Sequence, residues 1–320
     1  MKKQLTPQIK QPQKSLLARL GEDIVKNKYL YMLALPVIIY FIVIHYLPMY
    51  GLVIAFKDYK PRLGILASPW ADHWGLENFI KFCTGPYFLR TVRNTFLISF
   101  YSILFGFPAP IIFAILMNEI HSKAFKKTVQ TITYMPHFIS IMIVCGLVVS
   151  FTARDGLINN IGALFGAERQ NLLSQPQYFR SIYVISGIWQ EIGWSSIIYL
   201  AALSAIDREQ YEAAKIDGAG KLRQIWSITI PGIMPTIVIM LILRMGSILS
   251  IGYEKIILLY NPNTYSTSDV ISSFIYRNTF TGQQQYSYSA AVGLLNSVVN
   301  TVFIVATNAI SRRVGETSLW

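Results

Sequence analysis

The chain has 320 residues, of which 53% are hydrophobic and 14% are Asp, Glu, Lys or Arg, against about 25% charged residues in an average soluble domain. Lys and Arg number 28 and Asp and Glu 16, a net charge of +12, and there are two cysteines. These values exclude a disordered chain, a disulfide scaffold and an ordinary soluble enzyme.

The charges sit in clusters separated by long gaps. Residues 29–56, 94–118, 128–153 and 278–311 carry none, 181–206 carry only Glu191, and 224–253 carry only Arg244. A helix needs about 20 mostly apolar residues to cross the bilayer core. The gaps therefore predict six transmembrane helices, near 30–54, 95–117, 130–152, 182–204, 232–254 and 288–310. They lack the alternation of a membrane β-barrel. The expected fold is an all-α integral membrane protein with a basic N-terminal segment (1–28), a six-helix domain (29–311) and a short tail (312–320).

The first 28 residues hold seven Lys/Arg and no apolar block of the signal-peptide kind. Leu16, Leu17, Leu20, Ile24 and Val25 fall at helical spacing, which fits a short helix on the membrane surface or a solvated tail. With both termini inside, inner segments carry 16 of the 28 Lys/Arg and outer loops carry 11, a bias that predicts cytoplasmic termini. The positive excess then suits anionic lipid. Nucleic acid would want a basic stripe with stacking aromatics, and none is present.

No enzyme chemistry is legible. Cys83 is expected in an outer loop and Cys145 within a span, so they do not predict a disulfide. His45, His73, His121 and His137 show no ligand spacing, and no metal site is expected. Gly218-Ala219-Gly220-Lys221 looks like the end of a phosphate loop, but Lys215 stands where its first Gly belongs and Leu222 where Ser or Thr belongs. No nucleophile–base or paired-carboxylate constellation stands out.

The segment between the fourth and fifth spans, 207–231, is too long for a tight turn. Glu209 to Asp217 suits a short helix, and Gly218 and Gly220 allow a sharp change of direction. A second helix can start over 221–230 with Leu222, Ile225, Trp226 and Ile230 on one side; Pro231 and Pro235 mark the start of the next span. Within this segment Glu212-Ala213-Ala214, Asp217-Gly218-Ala219, Ile228 and Ile230-Pro231 resemble the EAA loop of binding-protein-dependent ABC importer permeases. Leu47 to Asp58, Gly187 to Trp194, Leu259 to Pro262 and Glu316 to Trp320 are similar to the carbohydrate-importer permeases of the bacterial multiple-sugar and lipoprotein-associated systems.

The resemblance implies the type I importer permease fold and a bacterial plasma membrane location. It implies four kinds of partner: a second, similar permease in a heterodimer, two ATP-binding subunits, an extracytoplasmic sugar-binding protein and the bilayer. ATP and Mg would be bound by the ATPase, and no cofactor by this chain. Residues 209–220 would be the coupling helix. There Glu212 would contact the ATPase, Ala213 and Ala214 would allow close approach, and Asp217, Gly218 and Ala219 would make the turn. The cargo implied is an oligosaccharide. A secondary, ion-coupled transporter or an importer of a non-sugar solute is the alternative; the first would want inverted repeats, and none is visible.

Glu191 and Arg244 are the charges inside spans, each about 13–15 Å deep. A lone charge there costs at least about 2.5–3.5 kcal/mol, so both should face the bundle interior. They can form an ion pair between spans or line the substrate path. Trp189, Gln190 and Trp194 flank Glu191 and can stack on and hydrogen-bond a sugar, or belong to an interfacial belt. Asn296 and Asn300 share a helix face, suited to cross-helix hydrogen bonds or to the path. Loop 57–93, with Tyr59, Trp70, Trp74 and Phe79, and loop 255–287, with a short helix over Val270–Ile275, are expected to meet the binding protein.

Overall fold

The structure is a computed structural model that describes residues 23, 25–246, 251–281 and 284–314. The expected surface helix over Leu16–Val25 falls largely outside the described residues. Among the described residues the secondary structure is helical, apart from one isolated bridge between Lys57 and Trp70. The chain divides into two packing units, one ending at Val53 and one starting at Ile54.

In the first unit, α1 (Lys28–Tyr40) runs into a π-helical segment, Phe41–Tyr46, and a further turn, Leu47–Met49. Its apolar side chains, Leu30, Leu33 and Val37 among them, are exposed. A helix that is apolar all round fits surroundings of lipid or of another subunit.

In the second unit, α2 (Glu77–Thr84) lies in a long loop. Next, α3 (Phe88–Gly106) and α4 (Pro108–Glu119) form one rod interrupted at Phe107, with Pro108 in the first turn of α4, where no N–H partner is needed. α5 (Lys123–Tyr134) starts at Ser122, whose hydroxyl accepts from the Phe125 N–H at 3.3 Å. A 3₁₀ turn, Met135–Phe138, follows, and Ile139 and Ser140 are extended before α6 (Ile141–Thr152). The single span expected over 130–152 is thus two helices. Pro136 cannot continue the hydrogen-bond ladder, and Ser140 caps the new helix by accepting from the Ile143 N–H at 3.4 Å.

α7 (Leu157–Leu164) precedes α8 (Pro176–Ser204), an unbroken 29-residue helix. Then come α9 (Arg208–Ile216), α10 (Lys221–Gln224), a π-helical segment Ile225–Thr229 and α11 (Ile230–Met245). The fifth span therefore starts at Lys221, ahead of the two prolines expected to mark it. The widened turn before Pro231 accommodates a residue with no N–H to give. The span also ends sooner than expected, at Met245, and Tyr253–Leu259 is a separate helix, α12. α13 (Ile271–Tyr276) and α14 (Tyr286–Val314) complete the unit.

Among the described residues, five stretches are long and apolar enough to cross a membrane: Lys28–Phe56, Phe88–Glu119, Ile141–Leu164, Lys221–Met245 and Tyr286–Ile310. The remaining expected span, the fourth (182–204), corresponds to α8, which has the length, about 43 Å at 1.5 Å per residue, but carries Arg180, Gln190, Glu191 and several serines. It packs against α3, α4, α5 and α11, so protein shields much of its polar content. Gly193 makes one of these contacts possible, because a Cβ there would run into the Thr133 carbonyl of α5. One apolar cluster joins Ala114, Tyr199, Leu203 and Ile233, and another joins Ile98, Cys145, Phe179 and Ile256. Between helices in lipid, such clusters stabilise by van der Waals contact more than by exclusion of water.

Candidate functional site

The segment 207–231 folds as its residues predict at the first helix and the turn. Asp207 caps α9 by accepting from the Glu209 N–H at 3.0 Å. At the other end Gly218 takes φ +77°; the Gly218 N–H donates to Lys215 O at 3.1 Å and the Ala219 N–H to Ala214 O at 2.8 Å. This is a Schellman turn, which needs a left-handed residue just past the helix. Gln224, buried, donates from Nε2 to Ala219 O at 2.8 Å and fixes the turn on the next helix. Lys221 Nζ meets Glu119 Oε2 at 2.5 Å, tying the segment to the end of α4. The Tyr211 and Thr229 hydroxyls lie 3.0 Å apart.

Glu212, Ala213, Ile216, Asp217 and Gly218 are exposed, whereas Ala214 and Ala219 are half-buried. The expected shared face of Leu222, Ile225, Trp226 and Ile230 does not form. Leu222 and Trp226 are exposed, while Ile225 and Ile230 pack on the Ala114–Tyr199–Ile233 cluster. The π-helical turns over 225–229 rotate less per residue than an α-helix, so the 3.6-residue stripe is lost.

A cavity of about 980 Å³ lies between α3, α4, α8, α11 and the start of α12. Tyr183, Gln190, Glu191, Trp194, Arg244 and Lys255 are among the residues that line it. The two intramembrane charges thus share one chamber. The partner found at Glu191 is His137: Oε2 and Nδ1 are 2.9 Å apart. The same imidazole stacks on Trp194, with ring centres 4.4 Å apart and planes 3° from parallel. Phe138 meets Trp194 edge-on at 5.3 Å. The break between α5 and α6 places His137 and Phe138 there. Trp189 is exposed on α8, and Asn296 and Asn300 lie on α14; none of the three lines this cavity. No sequence signal pointed to His137, which is 54 residues from Glu191. Lys255 carried only a weak signal, its place at the end of a charge gap.

Loops 57–93 and 255–287 divide the same way. Lys57, buried, donates to Ile65 O, Leu66 O and Ser68 O at 2.8, 2.9 and 3.1 Å and organises loop 57–70. Phe79 packs on Phe56, while Trp70 and Trp74 are exposed; Trp74 follows His73 in a left-handed turn, φ +59° and +53°. Glu77 is held below the usual carboxylate range, first by its bond with Lys81 and then by His73. The helix expected over Val270–Ile275 forms as α13, but it is core and not docking surface. Val270, Ile271 and Phe274 are buried, the last two in a cluster with Phe82 and Val292.

Asp269, fully buried, anchors this region. Its Oδ2 accepts from Arg90 at 2.7 Å and from Arg277 at 2.8 Å, and its Oδ1 accepts from the Ser273 hydroxyl at 3.0 Å. Asn94 donates to Asp269 O at 3.1 Å and accepts from Arg180 at 2.8 Å. Burial works against the Arg277 charge, but Asp269 outweighs it and Tyr260 adds to that, so its pKa stands above the ordinary arginine value.

Residues 106–316 match the family described as "Binding-protein-dependent transport system inner membrane component". The chain belongs to this family. The permease is 42% identical to the polygalacturonan/rhamnogalacturonan transport system permease protein YteP of Bacillus subtilis (strain 168), over 97% of its own length and 95% of the relative's. It is also 42% identical to Protein LplB of the same organism, over 92% of each chain. A bacterial ABC transporter involved in the import of the acidic polysaccharide alginate contains a chain 45% identical with a TM-score of 0.85, covering 92% of the permease and 99% of that chain. The bacterial alginate transporter in complex with its pentasaccharide-bound periplasmic protein gives 44% and 0.86, over 94% and 100%. The family expected from the 207–231 segment and the all-α membrane fold both hold, and the permease is a multi-pass membrane protein.

Proposed function

We propose that the permease forms one half of the transmembrane path of an ATP-driven oligosaccharide importer in a bacterial plasma membrane. Its partners are a second, similar permease, two ATP-binding subunits that bind ATP and Mg, and an extracytoplasmic binding protein. It does no catalysis of its own, and both termini lie in the cytoplasm. The observation that carries the reading is mechanical. A single helical rod runs from Lys221, beside the exposed turn at Gly218, to Arg244 on the cavity wall. A subunit that grips α9 through Glu212, Ala213 and Asp217 can therefore move the wall of the chamber directly, which is what alternating access needs. The polygalacturonan/rhamnogalacturonan transport permease and the alginate importer among the similar proteins support the cargo class.

In the chamber, Trp194 offers a rigid ring, held by His137 and Phe138, for the apolar face of a sugar. Gln190 and Glu191 accept from sugar hydroxyls. Trp70 and Trp74 are suited to meet the binding protein. The test is uptake by the complete transporter in liposomes. Glu191→Gln is expected to lower ATP-dependent oligosaccharide uptake at least about tenfold, the loss of one charged hydrogen bond, with the ATPase still co-purifying. Ion-driven uptake by this chain alone, without ATP, overturns the proposal.

A further inference from the structure

His137 supports both of the sugar-facing groups proposed above. Its Nδ1 lies 2.9 Å from Glu191 Oε2, and its ring stacks on Trp194 with centres 4.4 Å apart and planes 3° from parallel. A ring nitrogen facing a carboxylate oxygen at that distance carries a proton, because two lone pairs would repel. Nδ1 therefore donates to Glu191, and a second proton goes to Nε2. Taking it up changes two contacts at once. The bond to Glu191 becomes an ion pair, and the ring over Trp194 becomes a cation on its π face. The turn that carries His137 packs on α5 and α8. The charged group that α8 brings to the imidazole is Glu191, while Arg180 of the same helix is bound to Asn94. α5 adds the Tyr134 phenol, beside Gly193; Lys123, Lys126 and Lys127 stand at its far end. The chamber adds Arg244 of α11, Lys255 of α12 and the phenols of Tyr183 and Tyr199, and Lys255 attracts Glu191 electrostatically.

We propose that His137 is a positioning residue whose protonation loosens the chamber's hold on sugar, so that uptake falls as the pH falls through the histidine range. This inference rests on the carbohydrate-importer reading above. Once the imidazole is charged, the negative charge of Glu191 is spent on it, and the carboxylate becomes a weaker acceptor for a sugar hydroxyl. The cation also draws on one face of Trp194. The opposite face loses part of the negative potential that attracts the C–H bonds of a sugar. The two effects have the same sign, and neither requires a side chain to move.

The experiment uses the complete transporter in liposomes, with its partner permease, ATPase and binding protein. Uptake of galacturonate trimer and of maltotriose, whose charges are constant over the window, is measured from about pH 7.5 to about pH 5.5, where imidazoles titrate. Wild-type uptake is expected to fall at least about threefold more across that window than uptake by His137→Gln, part of the worth of a charged hydrogen bond. The variant retains every other titrating group of the assembly, so the comparison isolates the imidazole. A second signal needs no cargo. The emission of Trp194, taken as the difference between wild type and Trp194→Phe, is expected to drop over the same window, because an imidazolium stacked on indole quenches it. If His137→Gln fails to assemble, Glu191→Gln, which keeps an oxygen facing Nδ1, is expected to lose at least about half of the wild-type pH dependence. A flat wild-type profile, a profile that the substitutions leave unchanged, or a Trp194 signal that does not titrate overturns the inference. Wild-type uptake of neither trimer, with ATPase activity intact and the Trp194 signal titrating, instead overturns the carbohydrate reading beneath it.

Discussion

Gly218 takes φ +77° with nothing within 4 Å of where a Cβ would stand. The cost of replacing it is therefore a backbone cost, about 1–2 kcal/mol for an L-residue in the left-handed region, and it falls on the turn that orients α9. Gly218→Val is expected to abolish co-purification of the ATPase and ATP-coupled uptake while thermal stability in detergent changes little. Uptake at the wild-type level would show that the turn does not set the docking geometry. Gly193 is the opposite case. Its φ is ordinary, but the Thr133 carbonyl occupies the space a side chain would need. Gly193→Val must push α5 from α8 and is expected to cost about 1–3 kcal/mol or more, read as a lower melting temperature, with Gly193→Ala intermediate. The first glycine is legible in the sequence because it follows a capped helix at the right offset. The second is not, because only the crossing of two helices gives it a meaning.

At the level of the element, α13 and the loop before it are held by Asp269. Its carboxylate is shared by two guanidiniums and a hydroxyl, and its carbonyl by Asn94. Removing one member of such a buried set leaves the others uncompensated. Asp269→Asn is expected to cost about 3 kcal/mol or more, seen as a lower unfolding temperature in detergent. The sign of the pH effect follows from Arg277. A pKa raised on folding contributes stability that is fully present below the unfolded arginine value, far above neutral pH, and lost as pH rises through the higher folded value. The difference between wild type and Asp269→Asn should thus be the same at pH 7 and pH 10. The periodicity of Val270–Ile275 predicted α13 correctly and its burial wrongly. Helical spacing reports that one face is apolar, not whether protein or solvent meets it. Glu191 was legible as a lone charge in a gap. Its partner was not, because His137 arrives through the break at Pro136.

For the whole molecule, the order of long helices was legible from charge gaps alone, since lipid tolerates few charges. Their ends were not: helices stop inside apolar runs, at Tyr134 before Pro136 and at Met245. The proposed orientation can be read with the two native thiols. Cys83 is exposed in the loop carrying α2, and Cys145 is buried. A membrane-impermeant maleimide added to intact spheroplasts is expected to label Cys83 and to leave Cys145 unmodified until the protein is denatured. Labelling of Cys83 only after permeabilisation would invert the topology. If α9 is the handle proposed above, the bond between Lys221 and Glu119 bears on how force would enter the molecule. A handle fixed at one point can only be pushed or pulled. This one is joined both to its own rod and to the foot of α4, so a load on α9 becomes a couple, and the two rods turn about each other instead of merely sliding.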